Sequence, residues 1–311
     1  MKKIIYLLLL VNAILTGQEF NKKATAGFVF LGIPANARTT SLGEASIALT
    51  DMNSDAIFTN PAGIGFTQKE HSFSVSYASY LADITHYSTT YAYNTQYGVF
   101  GLGFVVMDFG SMQKTVTTSS QKFFEVTGTF DSKAVAAALC YSKMLTDKFA
   151  FGVQAKYVKE SIDVYSVSNV VFDGGVLYYT GLGSLRIAAS MQNFGTDAQY
   201  INDPFKMPTV FKLGIASEIL PEPVAGINLT GLVEAIHPND SDEKINTGLE
   251  INYMDMVFLR GGYKFLYDEE TYSFGIGVKG DFEIPVAADF AFANYGRLGN
   301  VLRFTVSTGL F

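Results

Sequence analysis

From His71 to the end of the chain, apolar residues alternate with small or polar ones in a series of segments separated by turn-forming residues. The segments run over 71–81, 83–93, 97–107, 133–143, 148–159, 169–180, 184–193, 208–219, 223–236, 244–254, 256–265, 271–281, 284–295 and 301–310. Successive side chains of a strand point to opposite faces, so each segment predicts a strand with one apolar and one polar or small face. The expected fold class is all-β: a transmembrane antiparallel β-barrel of 14 strands, preceded by a plug-like N-terminal segment.

The connections carry a second rhythm. Those after every second strand, at Asn94–Gln96, Met144–Asp147, Gly181–Gly183, Leu220–Glu222, Met254-Asp255 and Asp281–Glu283, are short. The opposite set is mostly longer: Asp108–Ser132, Glu160–Ser168, Phe194–Met207, His237–Glu243, Leu266–Glu270 and Gly296–Asn300, with Ala82 the exception. Outer-membrane barrels have short periplasmic turns and longer outer loops, so both termini are expected on the periplasmic side of a Gram-negative outer membrane, in contact with its lipid.

Composition agrees. Charged residues make up 16% of the chain, against about 25% in an ordinary soluble domain, yet mean hydropathy is only +0.20. A barrel reconciles the two, because lumen-facing positions need not be apolar. With no Trp among 18 Tyr and 26 Phe, any interfacial aromatic girdle is built from Tyr and Phe. The net charge of −7 argues against a nucleic-acid partner, and Cys140, the single cysteine, excludes an intrachain disulfide.

Strand phase sorts the charges. Tyr272, Phe274, Ile276 and Val278 share one face against Ser273, Gly275, Gly277 and Lys279, and Ile245, Leu249 and Ile251 oppose Asn246 and Glu250. A charge on the lipid face at mid-bilayer costs about 2–4 kcal/mol, so the polar face points inward. The lumen is expected to collect Lys156, Arg186, Lys212, Glu218, Glu234, Glu250, Arg260, Lys264, Lys279, Asp289 and Arg303. Lys156, Arg186, Lys212, Glu250, Arg260, Lys279 and Asp289 form the expected charge network, either a structural tie between wall and plug or a selectivity or substrate-binding element.

The N-terminal 70 residues read differently. Lys2 and Lys3 before an apolar run from Ile4 to Leu15 and small or polar residues at Thr16 and Gly17 match a signal peptide over 1–17. Residues 18–70 are small-residue-rich and irregular, with a short helix foreseen near Thr39–Ser46, and suit a plug or hatch inside the barrel of 71–311. Asn60-Pro61-Ala62-Gly63 is strong turn chemistry: Pro61 fixes its own φ and disfavours helix at Asn60, and Gly63 permits a reversal, so the motif serves as a hinge or, alternatively, a ligand contact.

Catalytic, metal and cofactor chemistry are not indicated. His71, His86 and His237 lack partners at metal-ligand spacing, and Asp83 and His86 fall on opposite strand faces. Gly101-Leu102-Gly103 lies within a strand and is wall packing, not a phosphate loop. The last strand alternates through Leu302, Phe304 and Val306, but Phe311 falls out of phase with it.

Several patches in order resemble the PorV/PorQ family, related to FadL-type barrels of fourteen strands. They are Phe30-Leu31-Gly32-Ile33-Pro34 with Ala37-Arg38, Leu42-Gly43-Glu44-Ala45, and Asp55-Ala56 leading to Asn60-Pro61-Ala62-Gly63. Further on stand Gly152-Val153-Gln154-Ala155-Lys156-Tyr157, Gln192-Asn193-Phe194-Gly195, Pro208-Thr209-Val210-Phe211-Lys212-Leu213-Gly214 and Arg260-Gly261-Gly262-Tyr263. The resemblance implies a non-enzymatic barrel that binds or anchors type IX secretion components or cargo through its outer loops, notably 108–132. The alternative it implies is a FadL-like channel admitting hydrophobic or other small molecules past the plug.

Overall fold

The structure, a computed structural model, describes residues 25–117, 124–220, 222–280 and 283–310; the expected signal peptide and Phe311 lie outside them. Fourteen antiparallel strands close into one barrel. They are β1 (His71–Ser79), β2 (Thr85–Thr95), β3 (Gly98–Thr117), β4 (Phe124–Thr146), β5 (Phe149–Ile162), β6 (Tyr165–Tyr179) and β7 (Arg186–Phe194). The wall continues with β10 (Val210–Glu218), β11 (Ile227–Pro238), β12 (Lys244–Tyr253), β13 (Val257–Phe265), β14 (Tyr272–Gly280), β15 (Val286–Asn294) and β16 (Asn300–Leu310). β8 (Ala198–Gln199) and β9 (Pro204–Phe205) form a clip in the connection between β7 and β10. Each expected strand is present, and β1 closes the ring against β16 from His71↔Leu310 to Ser79↔Leu302.

The wall inverts the usual relation between polarity and burial. In β1, Ser72, Ser74 and Ser76 are buried while Phe73, Val75 and Tyr77 are each more than 40% exposed. In β5, Gln154 and Lys156 are buried, and Val153 and Tyr157 face outward. Water would penalise that outer surface, whereas a lipid surrounding solvates it.

The wall has two unlike rims. At the turn end, connections are as tight as the Met254-Asp255 corner, where both residues take positive φ (53° and 55°). At the loop end the longest connection differs from expectation. The described parts of 108–132 are not an irregular loop: β3 runs on to Thr117 and β4 begins at Phe124, so the ladder continues past the wall as a two-stranded arm. The sequence already alternates weakly there, but Gly110, Ser111 and Thr-rich stretches masked it.

Residues 25–70 fill the lumen. The chain enters at the loop end, where Gly27 donates its N–H to the Lys206 carbonyl (3.1 Å), and leaves at the turn end into β1. The first described residues therefore lie at the opposite rim from the one expected for the amino terminus, while Leu310, paired with His71, sits at the turn end as anticipated. Between the rims come a 3-10 turn at Val29–Gly32, a five-residue helix at Ala37–Ser41, and 3-10 turns at Asn53–Phe58 and Pro61–Phe66. Asn36 caps the helix by accepting the Thr39 N–H at 2.8 Å. Leu42, Ile47, Ile57 and Ile64 of the plug are fully buried with Val99 and Leu177 of the wall. Each such side chain contributes about 1.5–3 kcal/mol relative to exposure.

Candidate functional site

Plug and wall fit through notches that inward-facing glycines leave in the sheet. A Cβ at Gly262 would stand 2.0 Å from the Gly43 nitrogen, and one at Gly152 would stand 2.3 Å from the Pro61 carbonyl carbon. At Gly175 it would meet Asn60 Oδ1 at 2.0 Å. Asn60 accepts the Ala62 N–H (3.1 Å) and donates through Nδ2 to the Ile47 carbonyl (2.9 Å) and the Val176 carbonyl (3.2 Å). Asn60, Pro61, Ala62 and Gly63, all buried, thus start a 3-10 turn seated against β5 and β6. The motif ties two stretches of the plug to the wall; its contacts here are with protein.

The central charge cluster joins plug to wall. Arg38 of the plug helix donates to both oxygens of Glu250 on β12 (2.9 and 2.7 Å) and to Asp51 (2.9 Å). Arg260 on β13 also donates to Glu250, through Nε to Oε2 (2.5 Å), and pairs with Asp289 on β15. Two guanidinium groups therefore share one carboxylate that is almost wholly buried, and each of the five ions has a charged hydrogen-bond partner.

The remaining expected charges separate into smaller units. Lys156 pairs with Asp173 (2.7 Å) and donates to Asn193 Oδ1 (2.5 Å), and Arg186 pairs with Glu218 (2.9 Å). Lys212 stands 3.6 Å from Glu234, whose other oxygen accepts the backbone N–H groups of Ser46 and Ile47. Lys264 bridges Glu44 of the plug (2.5 Å) and Glu270. Lys279 is outside any network: it is exposed at the turn-end mouth with no charged partner among the described residues. Lys279 is next to last in β14, two residues past Gly277, the position that pairs with Asp289.

Sequence reasoning placed the wall charges but missed their plug partners Arg38, Glu44 and Asp51. The available signal was their rarity in an otherwise small-residue segment. It also missed that Arg303, fully buried, lies 3.1 Å from His86 Nδ1 across β1. Among the described residues no group of three His, Cys, Asp or Glu is placed to hold a metal.

Three plug carboxyls are shifted, and at Asp51 burial is outweighed by the guanidinium of Arg38, which holds the carboxyl below its ordinary range. Burial would raise Glu44, but the ammonium of Lys264 outweighs it and holds the carboxyl below its ordinary range. Asp55 goes the other way: burial, aided by the nearby charge of Asp289, pushes it up to about 6 despite hydrogen bonds from Ser74 and Thr90.

The plug divides the lumen into two cavities with no lining residue in common. The loop-end cavity, about 510 Å³, has a floor of Val29, Leu31, Ile33 and Phe58 and a polar rim that includes Lys212, Lys244 and Glu270. The turn-end cavity, about 430 Å³, is lined by Arg38, Asp51, Asp55, Arg260, Lys279 and Asp289 among others. Arg38 lines the lower cavity and its neighbour Thr39 the upper, so the plug helix stands in the partition between them.

No protein-family model and no curated protein sequence matches the chain. Solved structures do. The Ralstonia pickettii toluene transporter TbuX superposes with a TM-score of 0.63 at 13% identity, over 89% of this chain and 98% of that one. The Pseudomonas putida toluene transporter TodX gives 0.60 at 13% identity, over 90% and 99%. The likeness extends over plug and wall together and establishes a shared fold.

Proposed function

We propose that the chain is a non-enzymatic outer-membrane barrel that passes small hydrophobic or amphipathic molecules, with the loop end outward and the plug as its gate. The carrying observation is the pair of cavities on opposite faces of a plug held by hydrogen bonds, ion pairs and packing. The apolar floor of the outer cavity accepts the body of such a solute, and the polar rim retains water around any charged end. Similarity of fold to two toluene transporters supports this reading over the secretion-associated one.

The test uses a reversible lock. Thr90 Oγ1 on β2 donates to Ser54 Oγ on the plug at 3.0 Å, so Ser54→Cys with Thr90→Cys places two sulfurs within bonding range. Flux of a membrane-impermeant aromatic, such as benzenesulfonate, into liposomes should stop on oxidation and return on reduction. Equal flux in both states would refute the gate, and absence of flux even with residues 25–60 deleted would refute the channel.

A second reading, a scaffold for secretion-system proteins or cargo as in the PorV/PorQ resemblance, draws on the arm at residues 109–117 and 124–131, which extends past the rim. A pulldown in mild detergent that returns the barrel alone, with secretion intact in a deletion strain, would count against it.

A further inference from the structure

The arm leaves two sheet edges without a wall strand beside them. The β2 ladder on β3 ends at Thr85↔Asp108, and the β5 ladder on β4 ends at Ser132↔Ile162. Beyond these points β3 and β4 pair only with each other, from Ser111↔Asp131 to Thr117↔Phe124. The arm is re-aimed at its root by a bulge between Asp108 and Ser111. There Gly110 takes φ 74° and donates its N–H to Asp108 Oδ1 at 3.0 Å.

The two edges of the arm are not equivalent. On the β4 side the β5–β6 turn braces the root, where the Asp163 N–H reaches the Asp131 carbonyl (3.2 Å) and Lys114 crosses to the Asp163 carboxylate, and the edge beyond carries the charge of Glu125 and a bulge at Thr127. On the β3 side nine residues, Phe109–Thr117, have no strand beside them among the described residues, a free edge of about 30 Å. Edges in water are normally blunted by Pro, by charge or by brevity. This one has no Pro, and its single charge, Lys114, is turned toward Asp163. A bare two-stranded ribbon is also marginal in water, so a third strand would stabilise it.

We infer that the β3 edge of the arm, Phe109–Thr117, takes up an extended segment of a separate polypeptide as an added strand. The segment it fits is nearly uncharged, with apolar residues at alternate positions to lie beside Met112 and Val116, and hydroxyl or amide side chains beside Ser111, Gln113 and Thr115. A second copy fits poorly. Two barrels inserted in the same direction hold these edges parallel and level. A parallel ladder instead needs a stagger of one residue, about 3.3 Å, which two-fold symmetry about the membrane normal does not supply. The inference is independent of solute passage.

The experiment is residue-resolved amide hydrogen exchange on the protein in its native membranes, before and after a urea wash that strips peripheral polypeptides and leaves barrels folded. Alternate amides of Phe109–Thr117, those directed away from β4, should exchange at least tenfold more slowly before the wash than after it. Pro at an outward-directed position such as Gln113 or its neighbour Met112, whichever the exchange pattern identifies, should abolish the protection. The variant should keep folded-barrel mobility on unheated gels, because that N–H bonds nothing within the arm. Fast exchange of these amides in native membranes would overturn the proposal. So would protection that survives the wash and accompanies a crosslinked species of twice the barrel's mass, which would assign the edge to a second copy.

Discussion

At the scale of single residues, the junction of plug and wall rests on atoms that have no room to change. Gly262 and Gly261 are neighbours in β13 with opposite fates. A Cβ on Gly262 meets the plug backbone at Gly43 and Leu42, whereas one on Gly261 meets nothing within 4 Å. Gly262→Ala should therefore cost about 1–3 kcal/mol by overpacking and loosen the plug, while Gly261→Ala should change stability by less than about 0.5 kcal/mol. Thermal unfolding of the two variants in detergent, with proteolysis of the plug as a second readout, checks the contrast. Glu250→Gln leaves Arg38 and Arg260 facing a neutral amide, and losing a partner from a buried ion cluster costs about 3–5 kcal/mol. Its melting temperature should fall well below that of Arg38→Met, which still leaves Glu250 bonded to Arg260. Glu250 and Arg260 were legible as inward charges because period two fixes a strand residue's face. Arg38 was not, since no periodicity assigns a direction to a side chain in a segment of short helical turns.

At the scale of elements, the segment Asn53–Phe58 carries a pH response. Asp55 has its folded value raised to about 6 from an ordinary value near 4. A raised carboxyl favours the folded arrangement fully below the ordinary value and loses that contribution as pH rises through 6. The plug should accordingly be held more firmly at pH 5 than at pH 7.5. Protease access to residues 51–58 across that range measures it, and Asp55→Asn should flatten the dependence. The arm makes the opposite kind of prediction. Since β3 and β4 bond only each other beyond Asp108 and Ser132, apart from the brace at Asp163, replacing residues 111–130 by a two-residue turn should leave the barrel's unfolding temperature within about 2–4 °C. The strands themselves were readable nearly to their ends wherever one face meets lipid and the other meets protein. The arm was not, because both of its faces are exposed and nothing forces its residues to alternate cleanly.

At the scale of the whole molecule, the outward surface fixes where the protein can live. Phe104, half exposed in the middle of the β3 wall, lies in an outward row with Phe100, Leu102 and Val106. Phe104→Lys should lower stability in a bilayer by about 2–4 kcal/mol, and Phe104→Leu should have little effect, as read by urea titration in lipid vesicles. The route of the plug has a consequence for how such a molecule can open. Its chain enters beside Lys206 at one rim and departs into His71 at the other, and β1 meets β16 around it. A cork leaves whole by the nearer mouth; a thread running from rim to rim has no such exit. An aperture then comes from re-coiling of the plug in place. The chain that bars the passage would then remain within it as one of its walls.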